Sequence, residues 1–146
     1  MVPSMSERRI RWKWIIVGGL LAEITVIAIF FLLLLAAMAA GVPEIAQPMT
    51  TLDYIDAMVM SFLSMLVFTV WVGKRIDSAF VLHGVLIAVF GIVLFTVMWI
   101  GTTGSLAQPA LYVVAHALKS VEGIAGGLIA ERRHSRGASA TRAATR

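Results

Sequence analysis

The sequence predicts an all-α, polytopic membrane protein: four transmembrane helices in an up-down-up-down bundle, N-in/C-in. Three observations predict it. The 146-residue chain is 60% hydrophobic and only 14% charged, whereas an average soluble domain is about a quarter charged. Its apolar residues fall into four runs, each near or above the roughly 20 residues a helix needs to cross a hydrocarbon core. Eleven of its twelve Lys and Arg residues lie outside those runs, on segments that four crossings put on one side. So few charges cannot cover a water-soluble surface of this size. The solvent is mostly lipid, and soluble enzymes and nucleic-acid-binding domains are excluded.

The first run goes from Trp14 to Ala40 and contains one acid, Glu23. Residues 1–13 form a basic segment ahead of it, in which Arg8, Arg9, Arg11 and Lys13 mix with Trp12. Cations prefer the cytoplasm and tryptophan the headgroup level, so this is an interfacial anchor. A signal-peptide core is usually about 7–15 residues long. This run is much longer and carries an acid, so it reads as a retained helix despite the small residues at 36–40.

The loop from Gly41 to Asp53 holds Pro43, Glu44 and Pro48 and no cation. The second run covers 54–72, with Asp56 near its start, where an acid complements the helix dipole. A short loop with Lys74, Arg75 and Asp77 follows, then the third run, 79–100, with His83 about one turn inside. The turn from Gly101 to Gln108 carries no charge. Pro109 suits the first turn of the next helix, where its missing N–H costs nothing. The fourth run, 110–130, ends at Glu131-Arg132-Arg133.

The segment 131–146 adds Arg136, Arg142 and Arg146 among Ala, Ser, Thr and Gly. It has no large apolar residue to bury beyond Ile129, and is expected to be a disordered basic tail. Its arginines and those of the N-terminal segment would be drawn to anionic lipid headgroups. With eleven cations on one face and none in the 41–53 and 101–109 loops, the positive-inside rule puts both termini in the cytoplasm. The expected location is the cell (inner) membrane, as a multi-pass protein.

An ionised group near the bilayer centre costs at least about 2.5–3.5 kcal/mol, so the charges inside the runs are the candidate site. With a rise of about 1.5 Å per residue, Glu23 lies roughly 13 Å from the cytoplasmic edge, Glu122 about 12 Å and Lys119 about 16 Å. The three share one layer. If helices one and four pack together, Lys119 can lie between the two carboxylates. His116 is roughly 21 Å deep, on the Lys119 side of its helix. Two carboxylates around one ammonium leave a surplus negative charge, so one acid is expected to hold a proton or share it with His116. The layer reads either as a polar clasp that sets helix register or as a protonatable, substrate-binding site.

Around the fourth helix, Tyr112, His116, Lys119, Ser120, Gly123 and Gly127 fall on one side at 100° per residue. Leu111, Val114, Leu118, Val121, Ala125 and Leu128 fall opposite and are expected to face lipid. Gly123 and Gly127 form a G-x-x-x-G pair that admits a close helix neighbour, within the bundle or on a partner subunit. Gly18 with Ala22, and Gly84 with Gly91, offer matching flat surfaces.

Other chemistries find no support. The two candidate haem histidines, His83 and His116, are roughly 15 Å apart along the membrane normal. With no cysteine, thiol chemistry is excluded. No metal, cofactor or nucleic acid is expected, and no nucleotide-binding, zinc-protease or nucleophile-elbow motif is present. The segment Gly18-Gly19-Leu20-Leu21-Ala22-Glu23-Ile24 resembles the first helix of the small multidrug resistance transporters, and Gly73-Lys74-Arg75-Ile76-Asp77 resembles a later loop of that family. The resemblance covers a small part of the chain and implies Glu23 as a shared proton and substrate site. The helix order, the missing aromatic and glycine-rich third-helix motif, Lys119 and the basic tail all depart from the family.

The expected function is therefore non-enzymatic: a structural or accessory membrane component acting through helix packing, as a homo-oligomer or in a larger complex. The alternative is a proton-coupled transporter, working as a dimer, with Glu23, Lys119, Glu122 and His116 at its site.

Overall fold

The structure is a computed structural model that describes residues 10–41, 54–107 and 109–144, with backbone only at 138 and 140–144. Among these residues it is entirely helical, with no strands. Helix α1 is Trp12–Ala39. Helix α2 spans Ile55–Gly73, opening with a π-helical stretch, Ile55–Met60, and continuing as α-helix from Ser61. Helix α3 is Phe80–Thr103 and α4 is Ala110–Ala144. All four are long and apolar enough to cross a membrane. Arg8, Arg9, the loop residues Pro43, Glu44, Pro48 and Asp53, and Arg146 lie outside the described residues.

These helices are apolar around most of their circumference, as expected where lipid replaces water on the outer face. Their ends have local causes. Gly41 and Gly104 both adopt the left-handed conformation, at φ +67°, just past α1 and α3. That lets the Gly104 N–H reach back to the Ile100 carbonyl at 2.8 Å and close the last turn. Thr102 and Thr103 return their hydroxyls to carbonyls one turn earlier, on Met98 and Trp99. The start of α3 is less relaxed: Ala79 also sits in the left-handed region, at φ 54°, where a Cβ costs about 1–2 kcal/mol.

Helix α4 overruns its expected end at Ala130 by fourteen residues, to Ala144, through the segment expected to be disordered. Composition showed that this segment has little to bury, and residues 131–137 are indeed exposed. A helix that is already formed, however, extends without a new nucleation cost. Ala and Arg are good helix formers, and Ser135 and Ser139 bond back to the carbonyls four residues earlier, at 3.0 Å each.

The principal helix contacts are α3 with α4, α2 with α4, α1 with α2 and α1 with α3. Helices α1 and α4 are therefore diagonal rather than neighbours, contrary to the condition under which the charged layer was expected to assemble. The larger core cluster gathers Ile15, Ala22, Met65, Val72, Ile76, Phe80, Ile87, Ala88 and Ala130. It lies at the end of the bundle that carries Arg11, Lys74, Arg75 and Arg133, called here the basic end. A smaller cluster, Ala57, Leu111 and Ala115, lies at the far end.

Glycine makes the basic half close-packed. A Cβ on Gly84 would overlap the Gly123 carbonyl, and one on Gly123 would overlap the Gly84 carbonyl, so here the α3 and α4 backbones touch. A Cβ on Gly127 would lie 2.6 Å from the Val81 Cα, and one on Gly18 would lie 2.7 Å from a Val72 methyl. The small residues expected to mediate packing thus meet other helices of the same chain.

Candidate functional site

The charged layer forms across the diagonal. Lys119 Nζ of α4 donates to Glu23 Oε1 of α1 at 2.6 Å, and the two residues are 4% and 3% exposed. Neither helix packs broadly on the other, so the side chains span the bundle interior themselves. The opposite helices make room for them. A Cβ on Gly91 of α3 would lie 2.7 Å from the same Glu23 oxygen, so glycine is what leaves space for the carboxylate. From α2, Ser64 Oγ donates to the Ala22 carbonyl at 2.9 Å, pinning α1 one residue before Glu23.

Glu122, one turn along α4 from Lys119, is 1% exposed. Its Oε2 has no hydrogen-bond partner, and neither do the buried hydroxyls of Ser61 and Thr69 on α2. Burying polar atoms without partners is costly. Ser61 lines the cavity beside the ion pair, while Thr69 lies toward the basic end, against Gly84 and Gly126.

Toward the far end the ion pair borders a cavity of about 30 Å³, lined by Glu23, Asp56, Ser61, Phe95, Tyr112, His116 and Lys119 among others. That is room for about one or two water molecules. Aromatic rings wall it. Phe95 lies 5.1 Å from the His116 ring, edge-on, and 5.2 Å from Tyr112. The Lys119 ammonium is 5.5 Å from the Phe95 centroid. Trp99 packs on Tyr112 at 5.4 Å and donates its indole N–H to the Ala107 carbonyl at 3.0 Å.

Of the expected site residues, Glu23 and Lys119 pair directly, His116 lines the cavity, and Glu122 is buried beside them on the far side of Lys119. Sequence reasoning assigned Asp56 only to a helix start and did not single out Ser61. The π-helical stretch brings both to the cavity. Its i→i+5 bond joins the Ser61 N–H to the Asp56 carbonyl. On a regular α-helix, residues five apart point about 140° away from each other; the wider π turn aligns them. No residue pattern announces a π turn, so no sequence signal was available.

The inward face of α4 is also rotated from the expected one. Its buried positions are Leu111, Ala115, Lys119, Glu122, Gly123, Gly126, Gly127 and Ala130. Leu111, expected to face lipid, is 6% exposed, and Ala125 and Leu118 are only partly exposed. The lipid-facing reading describes Val114, Val121 and Leu128. A hydrophobicity contrast cannot locate the interior when the surroundings are as apolar as leucine; small and charged residues locate it.

His83 has a different role. It is 1% exposed, with Nε2 accepting the Arg11 backbone N–H at 3.0 Å and Nδ1 lying 2.9 Å from the Ala79 carbonyl. That arrangement requires the Nδ1–H tautomer. The ring ties the start of α1 to the start of α3 and does not line the cavity beside the ion pair. Among the described residues, no three His, Asp or Glu side chains gather closely enough to hold a metal ion.

Compared with known proteins, the chain matches no family model, no curated protein and no solved structure.

Proposed function

We propose that the chain is a multi-pass membrane protein that takes up and releases protons at Glu23, Lys119 and Glu122, as the coupling step of a transport function. The observation that carries this reading is the Glu23–Lys119 ion pair, buried inside the bundle yet lining a small cavity that Asp56, Ser61, Tyr112 and His116 also line. Two carboxyls and one ammonium reach neutrality with one additional proton. Intramembrane ionisable groups arranged this way are the usual substance of proton relays. The cavity limits what enters: about 30 Å³ admits water and a proton, whereas pockets for small molecules run to roughly 300–1,000 Å³. Asp56, Tyr112 and His116 then form the path from the far end, and Glu122 and Thr69 stand beyond the pair.

In this reading the bundle runs up-down-up-down with both termini cytoplasmic, in the cell (inner) membrane. Two kinds of pairing support it. Arg11 meets His83, and Gly73 meets Ala130, at the end that also holds Lys74, Arg75 and Arg133. Leu111 and Ala115 cluster with Ala57 at the other end. The preference of cations for the cytoplasm then gives the orientation. No chemical reaction is part of this function.

The test is proton uptake into proteoliposomes carrying a trapped pH-sensitive dye, under an imposed potassium diffusion potential. Wild type is expected to acidify the lumen, Glu23→Gln and Glu122→Gln to abolish this while unfolding cooperatively, and Asp56→Asn to slow it. Wild-type vesicles no leakier than empty ones would overturn the reading.

The accessory-component reading keeps one favouring observation: an ion pair between diagonal helices is what a register clasp requires. It predicts that Glu23→Gln combined with Lys119→Met leaves function in the cell intact. Its subunit-interface version has lost support, because Gly18, Gly84, Gly91, Gly123 and Gly127 contact the chain itself.

A further inference from the structure

At the basic end, α2 and α4 meet where Gly73 abuts Ala130, and an open groove runs along the surface beside that contact. Its floor is apolar, made by Leu66, Val67, Val70 and Ile129, with Trp71 at one wall, and it encloses about 410 Å³. A second hollow of about 200 Å³ continues it past Gly73 and Ala130. Val70, Lys74 and Arg133 line both, so the two are one groove with both cations at its mouth.

The charges at the mouth are uncompensated. Among the described residues, the ion pairs are Arg11–Asp77 and Lys119–Glu23; Lys74 and Arg133 belong to neither. The nearest acid along α4, Glu131, lines a hollow on the opposite side of the helix, against Ala79–Leu82. Arg75, next to Lys74, does not line the groove; its guanidinium is 3.8 Å from the Trp71 ring centroid and its carbonyl accepts from Arg11. The groove therefore joins a lipid-facing apolar floor to two unpaired cations, beside a tryptophan at the level where tryptophans meet headgroups.

From this we infer that the α2–α4 groove is a binding site for one anionic phospholipid, its acyl chain along Leu66, Val67, Val70 and Ile129 and its phosphate between Lys74 and Arg133. An anion bridging two cations on different helices would reinforce the α2–α4 contact at Gly73 and Ala130. Basic pockets between transmembrane helices recognise anionic headgroups in the same way. This site is independent of the proton-exchange reading, since none of its residues touches the central cavity.

The test is native mass spectrometry of the full-length protein in mild detergent, titrated with phosphatidylglycerol or phosphatidylcholine of matched chains. Wild type is expected to retain phosphatidylglycerol preferentially. Lys74→Gln with Arg133→Gln should reduce that preference by about thirtyfold. Lys13→Gln with Arg132→Gln removes the same charge from the same end, outside the groove, and should leave the preference unchanged. Val70→Trp fills the floor without altering charge and should weaken retention of both lipids. Equal losses in the two double variants would show diffuse attraction and overturn the site, as would displacement of the lipid by inorganic phosphate. The charge pairs are exposed, so they test the site even if Val70→Trp does not fold.

Discussion

The two halves of the bundle are built on opposite rules. The basic half is closed: Gly84 and Gly123 bring two backbones into contact, Ile15, Val72 and Ile87 are 1% exposed or less, and His83 satisfies both ring nitrogens within the chain. The far half has a buried cluster of only Ala57, Leu111 and Ala115 among the described residues, a π-helical start to α2 and a cavity with carboxyl, hydroxyl, imidazole and ammonium groups in its walls. The ion pair lies where the two meet. In lipid, close packing and hydrogen bonding hold helices together, since hydrophobicity between them contributes little. A half that is loosely packed and polar is therefore not a failed core. In the proposed reading, it is where close packing gives way to groups that can change their charge.

The most severe way to break this comparison is to force the closed half open. Gly84→Leu places a side chain where the Gly123 carbonyl stands, and only movement of α3 or α4 relieves it. Overpacking typically costs about 1–3 kcal/mol, and backbone-to-backbone contact puts this site at or above the top of that range. Thermal unfolding in detergent should show loss of the cooperative transition, or a large fall in its midpoint. A comparable leucine at Gly101, where an added Cβ meets nothing within 4 Å, should leave the midpoint nearly unchanged.

Next in size is the pair at the boundary. Lys119→Met leaves the Glu23 carboxylate buried without its ammonium, and breaking a buried pair on one side costs about 3–5 kcal/mol. Adding Glu23→Gln should recover most of that loss, because a neutral, well-packed replacement for a buried ion pair is often tolerated. A double-mutant cycle on chemical unfolding measures the coupling. If the double variant is as unstable as Lys119→Met alone, the pair is not the source of the loss.

A smaller and more selective effect is expected at Gly91. An added methyl presses on the Glu23 carboxylate rather than on backbone, so Gly91→Ala should cost about 1–2 kcal/mol and leave the fold intact. Proton uptake should fall well before stability does. Gly91→Ala with normal uptake would show that the Glu23 position is unimportant to exchange. The mildest change belongs to the closed half. Ala79→Gly relieves the left-handed strain and should stabilise the protein by up to about 1 kcal/mol, the gain offset in part by unfolded-chain entropy. A raised midpoint in the same thermal assay checks it.

Much of the architecture could be read from residue order. The four spans differ from the expected 14–40, 54–72, 79–100 and 110–130 by at most three residues at any end except the last. The composition of residues 131–144 conceals a helix, because a segment with little to bury can still continue a helix that is already formed. Glu23, Lys119 and Glu122 stood out because any charge in an apolar run demands a partner. Their common depth followed from helical rise alone.

The sequence by itself determined how many helices are long and apolar enough to cross a membrane and which ionisable residues lie deep within them. Each depends on local composition and on the constant rise of a helix. Only the tertiary structure decided that Lys119 reaches Glu23 across a diagonal, that Asp56 and Ser61 turn to the same cavity, and that the glycines serve packing within the chain. Those depend on which helix neighbours which and on one irregular turn. An almost uniformly apolar surface gives hydrophobic periodicity nothing with which to choose among neighbours, so close backbone contact and a few polar groups make the choice.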